Sequence, residues 1–506
     1  MAKVTSIEQV KPVFSDVRQW YNQNLHPDKN NYDDAEVYKH VYHDGSFAGV
    51  FQLTSKGAQR LFKAAKPENI VDIAVLTSIY RPGPLSAKVD KIYLEAKAGK
   101  KFEWGHPLFE QVLGDTYNCL IFQESVMDLA EIVGGFPKEQ CDNVRRAIMK
   151  RDLSKGESAK KEAKALEDEF VKGAVKNGVS EATARKSYEQ ILWFAGYGFN
   201  RAHAVAYAID SYMCAWLLTH HEEEWLAAYL ESMSGSPENK AEALSSIKSL
   251  GFTIAPLDIN FASSAWTCVP GKKFMPSFLS CKGIGGAAVE EIMAMRPYTN
   301  LEGLLWNLDG SWKHSKFNKR ALQSLIVIEA FGSMDLVGPG KTFPNYRAMN
   351  WVLVDNADQL KKSPKKEPGF GHRRLLELIE ESQTMPDWTR SEKVKLYKDL
   401  MGDTNVNIVI SPEFQEMLQR KGIKPINELE GEDMVWFVVT DSIVKKTKNG
   451  KEYLLTTGVG TNGKQHKIFM WSNSVTLDEG KVYIAKMSQS EFGYGTKGAA
   501  REIRPS

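Results

Sequence analysis

The feature that most limits how this chain folds is a change of periodicity near residue 430. From Ser55 to about Met233 apolar residues recur at helical spacing, broken at RPGPLS (Arg81–Ser86), at GDTYN (Gly114–Asn118) and at a glycine turn at Gly196. Beyond Asp433 the run VWFVVTDSIVKKTKNGKEYLLTTGVGTNGKQHKIFMW is β-rich and turns at KNG and TNG, the hairpin signature of a small antiparallel barrel or sandwich. A helical core and a barrel core are separate packing solutions. The 506 residues suit about three or four domains.

Punctuation suggests five segments: 1–34, 35–235, 236–340, 341–430 and 431–506. Pro12 fits the first turn of a helix over VFSDVRQWYNQN, HPDKNN breaks it, and Asp33 and Asp34 cap the next helical segment. FAGVFQL (Phe47–Leu53) is the one plausible strand of the helical stretch. Acids and bases alternate along Lys155–Asn177, as on a solvated amphipathic helix. SGSPENK (Ser234–Lys240) marks a boundary, and two short glycine-marked helical units come after it, between about residues 262 and 335. VGPGKTFPN and LKKSPKKEPGFGHRR make 341–430 a linker or helical connector, with helices such as LLELIEES between them.

Composition excludes more than it selects. A net charge of +2 means that any polyanion site is a local patch. Cys119, Cys141, Cys214, Cys268 and Cys281 form no CxxC pair and are odd in number, which suits free thiols in a reducing compartment and argues against zinc or a disulfide framework. The amino terminus lacks the apolar run of a signal peptide. The most apolar stretch, Ala204–Tyr229, is interrupted by Asp210, His220, His221 and three glutamates, so a buried helix explains it better than a membrane span. The expected location is cytoplasmic, without membrane association.

Two blocks carry candidate chemistry. NVRRAIMKRD (Asn143–Asp152) places Arg145, Arg146, Lys150 and Arg151 along two helical turns, with Arg146 and Lys150 on one face. About fifty residues later, GYGFNRAHAVAYA (Gly196–Ala208) packs Tyr197, Asn200, Arg201 and His203 into a glycine turn that opens a helix. Guanidinium forks on one side and a glycine-permitted turn with donor side chains on the other suit a polyanion pocket. Each block alone fits a blander reading, in which the arginines pair on a helix surface and His203 is a satisfied core histidine.

The runs IYRPGPLS, DTYNCLIFQESVMDLAEIVGGF, DNVRRAIMKRD and FAGYGFNRAHAVAYAIDSYMCAWL, in this order and spacing, resemble the fingers region of C-family replicative DNA polymerases, the bacterial DNA polymerase III alpha subunits. The likeness continues through PLDIN, KGIGGAAVEEI and LIVIEAFGSMD and resumes in the carboxy-terminal β segment. It implies a multidomain, mainly α fold: a palm-adjacent helix (1–34), helical fingers (35–235), a tandem helix-hairpin-helix module (236–340), a connector (341–430) and an OB-like barrel (431–506). By the same resemblance Arg145, Arg146, Lys150, Tyr197, Asn200, Arg201 and His203 would hold the triphosphate of an incoming dNTP. RPGPL reads as an architectural turn fixed by two prolines, although Arg81 can reach a phosphate. Gln123 and Glu124 of FQESVM suit packing and a helix start. KGIGGAAVEEI resembles a helix-hairpin-helix whose glycine turn approaches a DNA phosphate, with Lys282, Gly283, Gly285 and Gly286 on one unit and Lys319 and Arg320 on its partner. An ordinary helix–helix turn is the alternative there. On the barrel, Trp436, Phe437, Tyr453, Phe469 and Trp471 are candidates for stacking single-stranded bases, against a core role for about half of them.

Polymerase chemistry needs carboxylates that hold two metal ions, and no strand-borne DxD is found; Asp33 and Asp34 are adjacent and suit capping. The resemblance therefore points to the carboxy-terminal part of a split DNA-directed DNA polymerase, a nucleotidyltransferase component inactive alone. Mg2+ and the catalytic aspartates would belong to a separate palm-bearing chain. Such splitting suits a phage gene, or one interrupted by an intein or intron. Primer-template DNA, dNTPs and a sliding clamp are the other implied partners. The alternative is a non-enzymatic DNA-binding accessory protein that kept the fingers fold.

Overall fold

A computed structural model describes residues 22–100, 103–149, 157–195, 197–336, 342–361, 369–402, 404–447, 449–461, 463, 465–471, 476–490 and 493–504. Contacts divide the chain after Glu222 into two compact units. The expected helix after Pro12 falls mostly outside the described residues, as do Lys150, Arg151 and Gly196.

The first unit is helical: α1 (Lys56–Ala65), α2 (Ile70–Ile79), α3 (Pro82–Ser86), α4 (Gln123–Ile132), α5 (Lys138–Met149), α6 (Glu157–Lys176), α7 (Glu181–Ala195) and α8 (Arg201–His220) are the helices that matter here. α2 reads IVDIAVLTSI, apolar nearly all round, and accordingly it is buried with α8 lying along it. Its buried carboxylate, Asp72, accepts from Tyr93 Oη (2.8 Å), from the Glu68 N–H (3.0 Å) and from Lys97, so the charge is compensated. A second core joins Val126 and Leu129 of α4 to Phe170 of α6 and Tyr188 and Phe194 of α7. Trp104, stacked on Phe109 at 5.3 Å, closes it.

Phe47–Leu53 is not the expected strand. Val50 N–H donates to Phe47 O (3.1 Å) and Leu53 N–H to Val50 O (3.1 Å), with Gln52 at φ 65°. Among its described residues this unit forms no sheet, so turns supply the hydrogen bonds that a ladder would have given. Ala48, Val50 and Leu53 are buried all the same.

The second unit begins with three short strands: β1 (Thr253–Ile254) runs parallel to β3 (Lys273–Met275), and β2 (Thr267–Val269) runs antiparallel to it. Next in the chain are two hairpin helices, α9 (Gly286–Ala294) and α10 (Lys319–Val327). Their core also takes in Met349, Leu353, Leu375, Leu378 and Met401, so the 341–430 segment contributes an apolar face here. α11 (Arg390–Met401) opens with a capping box of Thr389 and Glu392. With α12 (Pro412–Arg420) it covers one side of the barrel.

The barrel consists of β4 (Glu432–Lys446), β5 (Glu452–Val459), β6 (Gln465–Met470), β7 (Val482–Ser490) and β8 (Gly493–Thr496). β4 has 15 residues. Its first half pairs with β7 and its second half with β5, bending at an irregularity between Val439 and Asp441. β5 pairs with β6, β6 runs parallel to β8, and β8 returns antiparallel to β7. The circuit is closed and OB-like, leaving none of these five strands as a free edge.

Candidate functional site

The two sequence blocks meet, and the residues that join them belong to the start of α4. Phe122 and Phe199 form a parallel bridge in which Gln123 N–H donates to Phe199 O (2.9 Å) and Phe199 N–H donates to Ile121 O (3.0 Å). The Gln123 side chain works at both ends: Nε2 donates to Gly198 O (3.1 Å), and Oε1 accepts from Arg145 Nη1 (3.0 Å). Glu124 engages both oxygens, accepting from Asn200 Nδ2 (2.7 Å) and from the Arg201 backbone N–H (2.8 Å). Asn200 in turn caps α8, accepting from His203 N–H at 2.8 Å. Gln123 thus ties the glycine turn to α5, and Glu124 ties it to the start of α4, roles that helix-start chemistry alone does not reveal.

The candidate cations divide into engaged and accessible groups. Arg145 donates from Nε and Nη2 to Asp142 Oδ1 (2.9 and 2.7 Å). Arg146 pairs with Asp142 Oδ2 at 2.8 Å but stays 60% exposed. Hydrogen bonding from Arg145, aided by both positive charges, holds the Asp142 carboxyl below its ordinary range. The i, i+3 and i, i+4 spacing of Asp142 from the two arginines was visible in the sequence as ion-pair spacing. Arg201 donates to Ser125 Oγ (3.0 Å) and lies 5.1 Å over the Phe122 ring. Burial raises the nearby Asp128 carboxyl, and the Arg201 charge counters it.

Arg81 is largely architectural. It donates to Ser78 O (2.7 Å) and Tyr197 O (3.0 Å) and packs over Phe199 at 4.4 Å. Tyr197 meets Trp193 edge-on at 6.1 Å. His203 is exposed and lies between Phe199 (5.4 Å) and Tyr207 (4.2 Å). It is therefore not the core histidine of the blander reading. Tyr197, Asn200, His203, Arg145 and Arg146 all belong to this one cluster.

In the second unit the hairpin residues also converge. Gly283 has φ +100°, and a Cβ there would lie 2.6 Å from Ser324 Oγ and 3.4 Å from Arg320 Cγ, so only glycine fits. Ser324 Oγ donates to Lys282 O at 2.9 Å, joining the first hairpin to α10. Lys282, Gly285, Gly286 and Arg320 are exposed, and nothing stands within 4 Å of a Cβ built at either Gly285 or Gly286. Lys319 pairs with Asp358 at 2.9 Å. Glu291 of α9 accepts from the backbone N–H groups of Ser315 (2.9 Å), Lys316 (2.9 Å) and Phe317, just before α10. Burial pushes the Glu291 carboxyl up, but these N–H groups and the Ser315 hydroxyl outweigh it and bring it down to about 2. A 24-residue separation left this contact without a local sequence signal.

The barrel sorts its aromatics by side. Trp436 and Phe437 are 1% and 0% exposed and cannot stack a base. β4 is covered on both faces: Phe437 fills the barrel, and Trp436 packs under Val394 of α11 and Leu418 of α12. Tyr453 and Phe469 are half-buried, with ring centroids 6.0 Å apart, and Tyr453 lies 5.0 Å from Trp471, which is 48% exposed. Lys451 stands 5.4 Å over the Trp471 ring. Three rings and a cation thus share one partly open face.

Among the described residues no group of three or more His, Cys, Asp or Glu side chains is placed to hold a metal ion. Asp34 caps the Glu36 N–H (2.9 Å) and pairs with His220 at 2.8 Å. No helix among them is long and apolar enough to cross a membrane.

A helical unit whose polar turn is tied to an arginine helix, with paired hairpins and an OB-like barrel after it in sequence, makes this a mainly α, multidomain chain. Residues 6–178 match the bacterial DNA polymerase III alpha subunit finger domain, and residues 251–337 match the helix-hairpin-helix motif. The chain is related to the C-family alpha subunits. It is 31% identical over 410 residues to DNA polymerase III subunit alpha of Neisseria meningitidis serogroup B, covering 80% of this chain and 34% of that protein. It is 31% identical over 431 residues to that of Aquifex aeolicus (83% and 34%) and 27% identical over 497 residues to that of Vibrio cholerae (93% and 41%). The chain thus spans well under half the length of these relatives.

Proposed function

We propose that this chain supplies the nucleotide-gripping and DNA-gripping modules of a DNA-directed DNA polymerase, with Arg146, His203, Asn200 and Tyr197 facing the triphosphate of an incoming dNTP. The observation that carries this reading is the junction at Gln123 and Glu124, which gathers the α5 arginines and the glycine turn into one cluster while Arg146 and His203 stay exposed. A guanidinium and an imidazole donate to phosphate oxygens with a charge-assisted gain of roughly 1.5–3 kcal/mol per bond. Lys282, Gly285, Gly286 and Arg320 would grip duplex phosphates, and Tyr453, Phe469 and Trp471 would stack single-stranded bases. The catalytic aspartates and their Mg2+ are assigned to a separate palm-bearing chain. That part of the reading follows the likeness to the alpha subunits, since polymerase chemistry needs carboxylates that hold two metal ions. Bound Mg2+ would supply charge neutralisation at the transferring phosphoryl group. Mixing this chain with a co-encoded palm-bearing partner and primer-template should give metal-dependent extension. Absence of extension by folded proteins would sink the split-enzyme reading.

A second reading is favoured by the pairing of both α5 arginines with Asp142. Here the fingers fold persists as a DNA-binding accessory without nucleotide chemistry. It predicts salt-dependent DNA affinity and no dATP binding, so a dATP titration separates the two.

A further inference from the structure

We infer that Gln123 and Glu124 are positioning residues for the triphosphate grip, acting through Arg145 and the Gly198–His203 turn without touching the nucleotide. The inference rests on the nucleotide-binding reading above. Each side chain is used at both ends. Gln123 links Gly198 O to the Arg145 guanidinium, and Glu124 links the Asn200 side chain to the first N–H of α8.

The consequence is geometric. Arg145 spends its Nε and Nη2 on Asp142 and its Nη1 on Gln123, so it braces α5 rather than reaching outward. Arg146, the next residue on α5, shares Asp142 with it and stays 60% exposed. On the other side, Glu124 holds Asn200, which caps His203 N–H and so sets where α8 begins and where the His203 ring emerges. Glu124 also places a carboxylate at the positive end of α8. A phosphate would find that helix end already occupied by Glu124, so the grip falls to side chains around the turn, Arg146 and His203 first among them.

An amide in place of the carboxylate turns one accepting oxygen into an NH2 group that opposes Asn200 Nδ2 or Arg201 N–H. Glu124→Gln should therefore free the turn without removing bulk. Gln123→Glu keeps the acceptor for Arg145 but sets a carboxylate against Gly198 O.

The test titrates the full-length chain and both variants with dATP and Mg2+ by calorimetry, alongside duplex DNA affinity and thermal midpoints. The expected result is dATP binding weakened tenfold or more in both variants. Duplex affinity should stay within twofold and both variants should be fully folded at the titration temperature, a split that a merely structural role would not produce. Unchanged dATP affinity in either folded variant overturns the inference. Tighter binding in Glu124→Gln overturns it too, because the carboxylate would then be competing with phosphate for the helix end. If Glu124→Gln does not fold, Gln123→Glu decides by the same criterion. Failure of the unmodified chain to bind dATP would instead remove the nucleotide-binding reading on which the inference stands.

Discussion

Arg146 and His203 are the residues on which nucleotide affinity should depend most directly. Replacing either by Ala should weaken dATP binding by roughly tenfold, the equivalent of one charge-assisted hydrogen bond, while duplex affinity stays within twofold; paired calorimetric and anisotropy titrations read both. Glu291 offers a test of stability at the same scale. Its carboxyl is brought down from an ordinary value of 4.5 to about 2 by three backbone N–H groups and a hydroxyl. A depressed folded-state value means that its stabilisation is present above the unfolded value and lost as pH falls from about 4.5 towards 2. Urea melts at pH 5 and pH 3 should show a smaller loss for Glu291→Gln than for the unmodified chain. At neutral pH that variant should cost about 1–3 kcal/mol, because the amide keeps one accepting oxygen and sets an NH2 group against the donors that the other oxygen had satisfied. Asp142 stands at ion-pair spacing from both arginines, a local signal in the sequence, whereas Glu291 and its partners, 24 to 26 residues apart, carried no such signal.

At the scale of elements, helices and hairpins were legible wherever local pattern suffices. The amphipathic run after Lys155 forms α6, and the KNG and TNG turns fall between β4, β5 and β6. Phe47–Leu53 failed as a strand because a strand needs a neighbour, and its unit supplies none among the described residues. The barrel aromatics were legible as a set but not by side. Trp436→Ala should cost about 3–5 kcal/mol of stability, as a buried large-to-small change does, with denaturant unfolding as the measurement. Trp471→Ala should leave stability nearly unchanged and weaken binding of a single-stranded oligonucleotide by about 1–3 kcal/mol, the range for one stacking ring. Gly283→Ala, at φ +100° and 2.6 Å from Ser324 Oγ, should destabilise the hairpin module by more than about 1 kcal/mol.

At the scale of the whole molecule, the division after Glu222 gives two units with their own cores. Cores of separate units can melt in separate steps, so calorimetry should resolve more than one transition; a single symmetric transition would refute this. The stretch 341–430 shows why domain borders are hard to read. Its charged, proline-containing runs look like a linker, yet Leu375, Leu378 and Met401 complete a core begun more than fifty residues earlier.

The sequence by itself determined what depends on near neighbours: helical and strand periodicity, turns, caps, and the family likeness carried by its ordered motifs. Tertiary structure decided which cations are spent on internal partners, which rings face solvent, and which residues join motifs separated by 22 to 77 positions. The physical reason is that a side chain's availability depends on what packs over it. Arg145 and Arg146 are adjacent in sequence and alike in type, but one braces the fold through Gln123 and Asp142 while the other stays largely exposed.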